Sequence, residues 1–262
     1  MSLEAIKFYE DSAIAFNKNY STNTSFLKRY TLWKALISKY AKGCNCCLDL
    51  GCGTGIFSLE LARFSKLVIA IDGSEKMINI GQKAAKDVSV NNIDFIKGVI
   101  PKVLDDIKDK GHIDLVIASS VLEYIDHLDS TLHSINNLLA NDGLLIASVP
   151  NRSSFYRKLE NIGFKYIGFP RYLQVLKNVF TLSEFSTLLK AHGFSLMDFQ
   201  YYSSPMLYSK VLSPFGKQRT CNLILVIARK TENPVAVDVP LTASLQNNVP
   251  PEKEYKALNA HT

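Results

Sequence analysis

The sequence predicts an α/β domain: a mostly parallel sheet with helices on both faces. Two observations predict it. Between residues 46 and 150, short apolar runs alternate with stretches whose apolar residues recur every three or four positions. The first run closes on a turn with a glycine at every second position, LDLGCGTG at 48–55, and the second closes on an acid, Asp72. Repeated strand–helix units of this kind give parallel strands buried on both sides.

The elements follow in chain order. Residues 1–43 read as a helical cap. Phe26, Tyr30, Trp33, Leu36, Ile37 and Tyr40 share one helix face, and Gly43 is the stop. Phe8, Tyr9, Phe16 and Tyr20 stand upstream as aromatic residues in a polar background. CCLDL (46–50) is the first strand, and Ile56, Leu59, Leu61 and Ala62 space the helix after it. KLVIAID (66–72) is the second strand, with Ser74 as cap of the next helix. IDFIKG (93–98) is the third, followed by a short helix with Pro101 in its first turn. IDLVIASS (113–120) is the fourth. A helix over HLDSTLHSINNLLANDG is expected to end at Gly143 and lead into a fifth strand, LLIASVP (144–150). Residues 151–180 are rich in aromatics and cations and read as an insertion. TLSEFSTLLKAHG is a helix capped by Thr181 or Ser183 and ended by Gly193. FSLMDFQYYS (194–203) and NLILVIAR (222–229) complete seven strands, with a loop or short helix between them. The stretch 231–262, with four prolines and no periodicity, reads as a disordered tail.

Composition narrows the functions. The 262 residues are 47% hydrophobic and 21% charged, which suits one soluble domain. A net charge of +6 is mild and dispersed, so nucleic acid is not an expected partner. Apolar runs of about nine residues fall short of the ~18–20 that span a bilayer. The first dozen residues carry acids and no apolar leader, so a cytoplasmic location is expected. Cys44, Cys46, Cys47 and Cys52 crowd together while Cys221 stands alone. The second knuckle of a zinc site is missing, so these read as small structural residues and no metal is expected.

The glycine turn carries the chemistry. A strand that enters a helix through glycines lets backbone N–H groups approach a ligand closely. A phosphate loop needs Lys and Ser or Thr after its last glycine, but Gly55 is followed by Ile56 and Phe57. A dinucleotide fingerprint spaces its glycines differently from 51, 53 and 55. What remains is an acid, Asp49, ahead of three alternating glycines, with a second acid, Asp72, at the end of the next strand.

With those residues the sequence resembles the class I S-adenosylmethionine-dependent methyltransferases over roughly residues 20–230. LDLGCGTGIFSLELA is similar to the family's first motif, AIDGSEKMI to its second, IDLVIASSVLEYI to its fourth and NDGLLIASVPN to its fifth-strand segment. The resemblance implies a Rossmann-like seven-stranded, mostly parallel sheet with helices on both faces, an N-terminal helical cap (1–43) and a cofactor-binding domain (44–230). It implies S-adenosylmethionine as cofactor and S-adenosylhomocysteine as product. Asp49 would meet the methionine amino end, with Gly51, Cys52 and Gly53 as the wall beside it. Asp72 would accept both ribose hydroxyls, with Gly73 and Ser74 alongside and Met77 over the adenine. Gly98, Val99 and Ile100 stand where relatives place an adenine-binding acid, and Val99 has no acceptor. Ser119, Ser120 and Val121 would line the methionine side, and Arg29 would pair with its carboxylate.

The acceptor is read from what is missing and from the insertion. The stretch after strand four reads SSVLEY, unlike the Asn/Asp-Pro-Pro-aromatic motif of amide and exocyclic-amine enzymes. No cysteine stands there for 5-cytosine chemistry, and no acid cluster suits a metal-dependent catechol type. The layout resembles small-molecule methyltransferases such as ubiquinone-pathway and natural-product enzymes. The insertion 151–180 would then roof the acceptor pocket, with Asn151, Phe155, Tyr156, Phe164, Tyr166, Phe169 and Tyr172 as its lining. This suggests a hydrophobic or aromatic acceptor. The candidate bases are His127, Tyr124 and Glu123, whereas His133 and His192 read as structural. Tyr9 and Tyr20 are candidates to close over the sulfonium. Two alternatives stay open: a membrane-associated enzyme acting on an isoprenoid-quinone or lipid, for which the cations of 151–180 speak, and a cofactor-binding partner subunit without activity. RNA is a third, weaker idea. Oligomeric state is not legible.

Overall fold

The computed structural model describes residues 1–202 and 216–231. Its centre is a seven-stranded sheet: β1 (Cys46–Leu50), β2 (Leu67–Asp72), β3 (Ile93–Lys97), β4 (Ile113–Ser119), β5 (Leu139–Pro150), β6 (Phe194–Tyr202) and β7 (Leu223–Lys230). The strands lie in the order β3-β2-β1-β4-β5-β7-β6. Strands β1 to β5 pair in parallel, and β7 runs antiparallel to both β5 and β6. The order reverses between β1 and β4, and an open parallel sheet forms its ligand crevice beyond the carboxyl ends of the strands at such a point. The glycine turn and residues 120–124 both leave the sheet there.

All five residues of β1 are buried, which explains why CCLDL shows no alternation. Cys46, Leu48 and Leu50 face a core shared with the 3-10 helix Lys102–Lys110 and with helices that pack through Leu132, Ile135, Phe185 and Leu189. Cys47 faces the opposite core, built around Trp33, Ile37, Phe57 and Leu61. The N-terminal stretch is two helices, α1 (Leu3–Thr22) and α2 (Thr24–Tyr40). Asn23 divides them: its side-chain Oδ1 accepts from the N–H groups of Ser25 and Phe26, as an N-cap does. Trp33 and Ile37 of α2 are wholly buried, so this helix is part of the sheet's own cover.

The remaining helices are α3 (Ile56–Ala62), α4 (Glu75–Asp87), α5 (Leu128–Leu138), α6 (Phe155–Ile167), α7 (Leu182–Ala191) and α8 (Lys217–Thr220). Ser74 caps α4, and Thr181 with Glu184 forms a reciprocal capping box on α7. The expected helix end at Gly143 is corrected. Helix α5 stops at Leu138, and Leu139 is already extended and paired with Ile113. Asp142 takes a positive φ of 61°, and a Cβ on Gly143 would meet the Ala140 carbonyl oxygen at 2.9 Å. The turn chemistry at Asn141–Gly143 therefore marks an irregularity inside β5, between the pairings of Ile113 and Leu115. After Pro101 the chain forms 3-10 turns. The insertion holds α6 and a 3-10 turn at Arg171–Val175, and returns to the sheet through a parallel bridge between Asn151 and Phe180. The expected connection between β6 and β7 falls largely in 203–215, outside the described residues, and so does the expected tail beyond Thr231.

Gly55 opens α3 with a φ of 76°, and a Cβ there would meet the Phe95 ring at 3.0 Å and the Gly81 Cα at 3.2 Å. A left-handed backbone costs an L-residue about 1–2 kcal/mol. Gly55→Ala is expected to lower stability by about 2 kcal/mol, read as a shifted urea midpoint with an unchanged slope. An unshifted midpoint would show that the turn relaxes freely.

Candidate active site

The carboxyl ends of β1, β2 and β4 open into a cavity of about 590 Å³, within the usual range for small-molecule sites. Its wall includes Gly51, Cys52, Gly53, Thr54, Asp72, Met77, Ser119, Ser120 and Val121. Gly51 has a φ of 69°, and a Cβ there would lie 2.4 Å from Val121, so the glycine lets the two loops touch.

Asp72 is buried and anchors the glycine turn. One carboxylate oxygen accepts from Gly53 N–H at 2.9 Å and the other from Ser74 N–H at 2.8 Å. Burial pushes its pKa upward, against those N–H groups, which favour the charged form. Asp49 does not line the cavity. It lies beneath the turn, where Ser58 donates to it at 2.6 Å, and burial pushes its pKa up to about 7. Arg29 reaches the wall from α2. Its Nη2 donates to the carbonyl and to the hydroxyl of Ser119, each at 2.7 Å, and the guanidinium lies 5.8 Å from the centre of the Phe57 ring. The Thr54 hydroxyl is buried on this wall and has no partner.

The far part of the cavity is aromatic. Phe8, Tyr9, Phe16 and Tyr20 of α1 line it, with Tyr124, Phe169 and Tyr172. The Tyr9 hydroxyl donates to the Tyr124 hydroxyl at 2.8 Å. Tyr20 packs edge-on to Phe16, Phe26 and Phe57. Glu123 lies among these rings with only 2% exposure, and its Oε2 has no hydrogen-bond partner among the described residues. Burial pushes its pKa up to about 7, which its own backbone N–H, the cations Arg29 and Arg157, and Ser120 offset only in part. The segment is clamped from the insertion: Asn178 donates through Nδ2 to the carbonyls of Leu122 and Ile125, and Lys177 N–H to that of Glu123.

Several expected site residues lie elsewhere. His127 is exposed at the start of α5, outside the cavity. Ser74 is buried and spent on capping α4 and on donating to Glu10. Gly73 packs against Ile6 of α1. Gly98, Val99 and Ile100 do not reach the cavity: Gly98 packs on Val103, Val99 is largely exposed, and Ile100 is buried beneath Met1. Asn151 braces the sheet edge by donating to the carbonyls of Gln218 and Cys221. Phe155, Tyr156, Phe164 and Tyr166 are not in the wall, so Phe169 and Tyr172 are the insertion's aromatic contributions to it. Thr54, Phe57 and Arg157 belong to the wall but were not among the expected site residues, Arg157 being counted only with the cations of 151–180. The Arg157–Glu160 spacing was the available signal for the last, because i,i+3 places the two side chains together on a helix.

A model of the methyltransferase domain matches residues 25–198. The chain belongs to the methyltransferase-domain family. Members of class I take their methyl group from S-adenosylmethionine, and the seven-stranded sheet with its reversed β7 is their fold. The ubiquinone biosynthesis O-methyltransferase of Pelagibacter ubique is 28% identical over 120 residues, 46% of this chain and 48% of that protein. The malonyl-[acyl-carrier protein] O-methyltransferase of Halalkalibacterium halodurans is 32% identical over 111 residues, 42% of this chain and 40% of that one. The chain thus matches about half the length of these curated relatives or less. Among solved structures, the magnesium protoporphyrin IX methyltransferase of Synechocystis with bound S-adenosylhomocysteine superposes with a TM-score of 0.65 at 18% identity, covering 86% of this chain and 98% of that one. Among the described residues, no helix of this family member is long and apolar enough to cross a membrane.

Proposed function

We propose that this protein moves a methyl group from S-adenosylmethionine to an oxygen or nitrogen of a hydrophobic or aromatic small molecule. The observation that carries the reading is Glu123, a buried carboxylate whose Oε2 lacks a partner, at the aromatic end of a cavity whose other wall is the glycine turn. The residues present fit the cofactor. The unpartnered Thr54 hydroxyl and the Arg29 guanidinium would hold its amino-acid end, Asp72 its ribose hydroxyls, and Met77 its adenine. Bound there, it supplies an electrophilic methyl group.

The chain's own work is to position and to hold a proton. Aromatic walls displace water from around the acceptor and orient it. Glu123 accepts the hydrogen bond of an acceptor O–H or N–H at its free oxygen. A carboxyl held near pH 7 takes up that proton as the nucleophile forms. Tyr124, fixed by Tyr9, bounds the space beside it. The free cysteines suit a cytoplasmic setting.

The test is label transfer. Purified protein with methyl-labelled cofactor is offered hydroxy- and amino-substituted aromatic and prenylated compounds. Labelled product with at least one class is expected. Cofactor binding without transfer to any of them, or to cell extract, would make the protein a partner subunit instead.

A further inference from the structure

Helix α6 is inside out. Its buried residues are Arg157 and Glu160, whereas Leu159, Ile162, Tyr166 and Ile167, with Phe169 just beyond, are between 50% and 77% exposed. Positions 159, 162 and 166 recur at helical spacing and form one outward stripe, opposite 157 and 160. The inward charges are paired with one another through the Arg157 Nη1, while the Arg157 Nε has no hydrogen-bond partner among the described residues. Arg157 pairs with Glu160 at 2.8 Å and donates to the Tyr172 hydroxyl at 2.6 Å, and that hydroxyl donates to Glu160 at 2.7 Å. A soluble helix places its apolar stripe against the core. Here the buried positions form a polar clasp and the stripe 159, 162 and 166 faces out.

The charges around the stripe identify what covers it. Residues 151–180 contain six cations and one acid, Glu160, which is buried in the clasp. Arg152 is paired with Glu184 and Lys177 with Asp126. Among the described residues, no carboxylate pairs with Lys158, Lys165 or Arg171. Lys158 and Lys165 are seven residues apart and flank the stripe on one side. An apolar stripe edged by unpaired cations and free of acids is complementary to anionic lipid headgroups over acyl chains. The patch is also continuous with the cavity, since Phe169, Pro170 and Arg171 belong to its wall.

We infer that the outer face of α6 docks on an anionic lipid bilayer, and that a lipid-like acceptor enters the cavity past Phe169. The second half rests on the function proposed above; the docking itself does not. In this arrangement α6 lies in the headgroup plane with Ile162 and Tyr166 inserted. Lys158, Lys165 and Arg171 meet the anionic headgroups.

The experiment is sedimentation of the full chain with phosphatidylcholine vesicles, with and without about one-third phosphatidylglycerol. The wild type is expected to pellet with the anionic vesicles only. An Ile162→Glu/Tyr166→Glu variant is expected to lose roughly tenfold or more in partitioning. Calorimetry with S-adenosylmethionine should give the same affinity for both proteins, which reports an intact fold. No pelleting of the wild type, or equal pelleting of the variant, overturns the inference. A dimer that the same substitutions dissociate, without vesicle binding, assigns the face to a second copy and overturns it as well. Failure of both proteins to bind the cofactor would overturn the proposed function and leave vesicle docking to stand on its own result.

Discussion

Asp72→Ala is expected to weaken S-adenosylmethionine binding by about a hundredfold or more, measured by titration calorimetry. Two charge-assisted hydrogen bonds to a ribose diol, at about 1.5 kcal/mol each, set that scale. The substitution also removes the acceptor for Gly53 N–H, which is tied to Asp72 at 2.9 Å. The turn then loses its anchor along with the ligand contact. Asp72→Asn separates the two effects, because its amide oxygen still accepts one backbone N–H. An affinity within about threefold of wild type for Asp72→Ala would show that the ribose is held elsewhere.

Glu123→Gln is expected to lower kcat by about a hundredfold or more with a hydroxyl acceptor, since a positioned base contributes 10²–10⁴. Wild-type kcat/KM should climb through an apparent pKa near 7, the value to which burial pushes this carboxyl. The variant should be low and without that limb. Stability moves the other way. The carboxyl is raised in the folded state, so its contribution is fully present below its unfolded value, about 4.3. It is lost as the pH rises through about 7. Above that, the wild type carries an ionised group in a buried position. Glu123→Gln removes that cost and is expected to be more stable at pH 8 by roughly 4 kcal/mol at most, and nearly equal at pH 4. Urea titrations at the two pH values read the difference. Asp49 is raised by the same cause and titrates in both proteins, so it cancels in the comparison. Unchanged activity would remove Glu123 from the chemistry, whatever happens to stability.

The sheet was legible because its signals are local. Runs such as KLVIAID are apolar throughout, and only a strand covered on both faces needs that. The glycine turn was legible because three positive-φ positions in five residues leave few other solutions. The expectation for His127 failed because sequence distance from Glu123 says nothing of direction: the chain turns outward at Ile125, and the histidine goes with it. The insertion failed for a different reason. Its aromatics were assigned inward on hydrophobicity. The structure buries Arg157 and Glu160 there, paired with each other and with Tyr172, and leaves Tyr166 outside, because a charge pair with its own partners can take an inward position that hydrophobicity alone would give to a ring. Tertiary pairing of that kind has no local signature beyond the Arg157–Glu160 spacing.

Arg157, Glu160 and Tyr172 all belong to the roof, so the clasp is internal to it, whereas the two ends of the roof are tied to the body below, through Asn151 to Gln218 and Cys221 and through Asn178 to Leu122 and Ile125. The glycine turn, in turn, is secured by Asp72 and not by the roof. A segment fastened within itself between two tied ends can vary along its middle while the half of the molecule under it stays as it is. The middle of the roof and the glycine turn are thus separately secured, and a change in one leaves the anchor of the other in place.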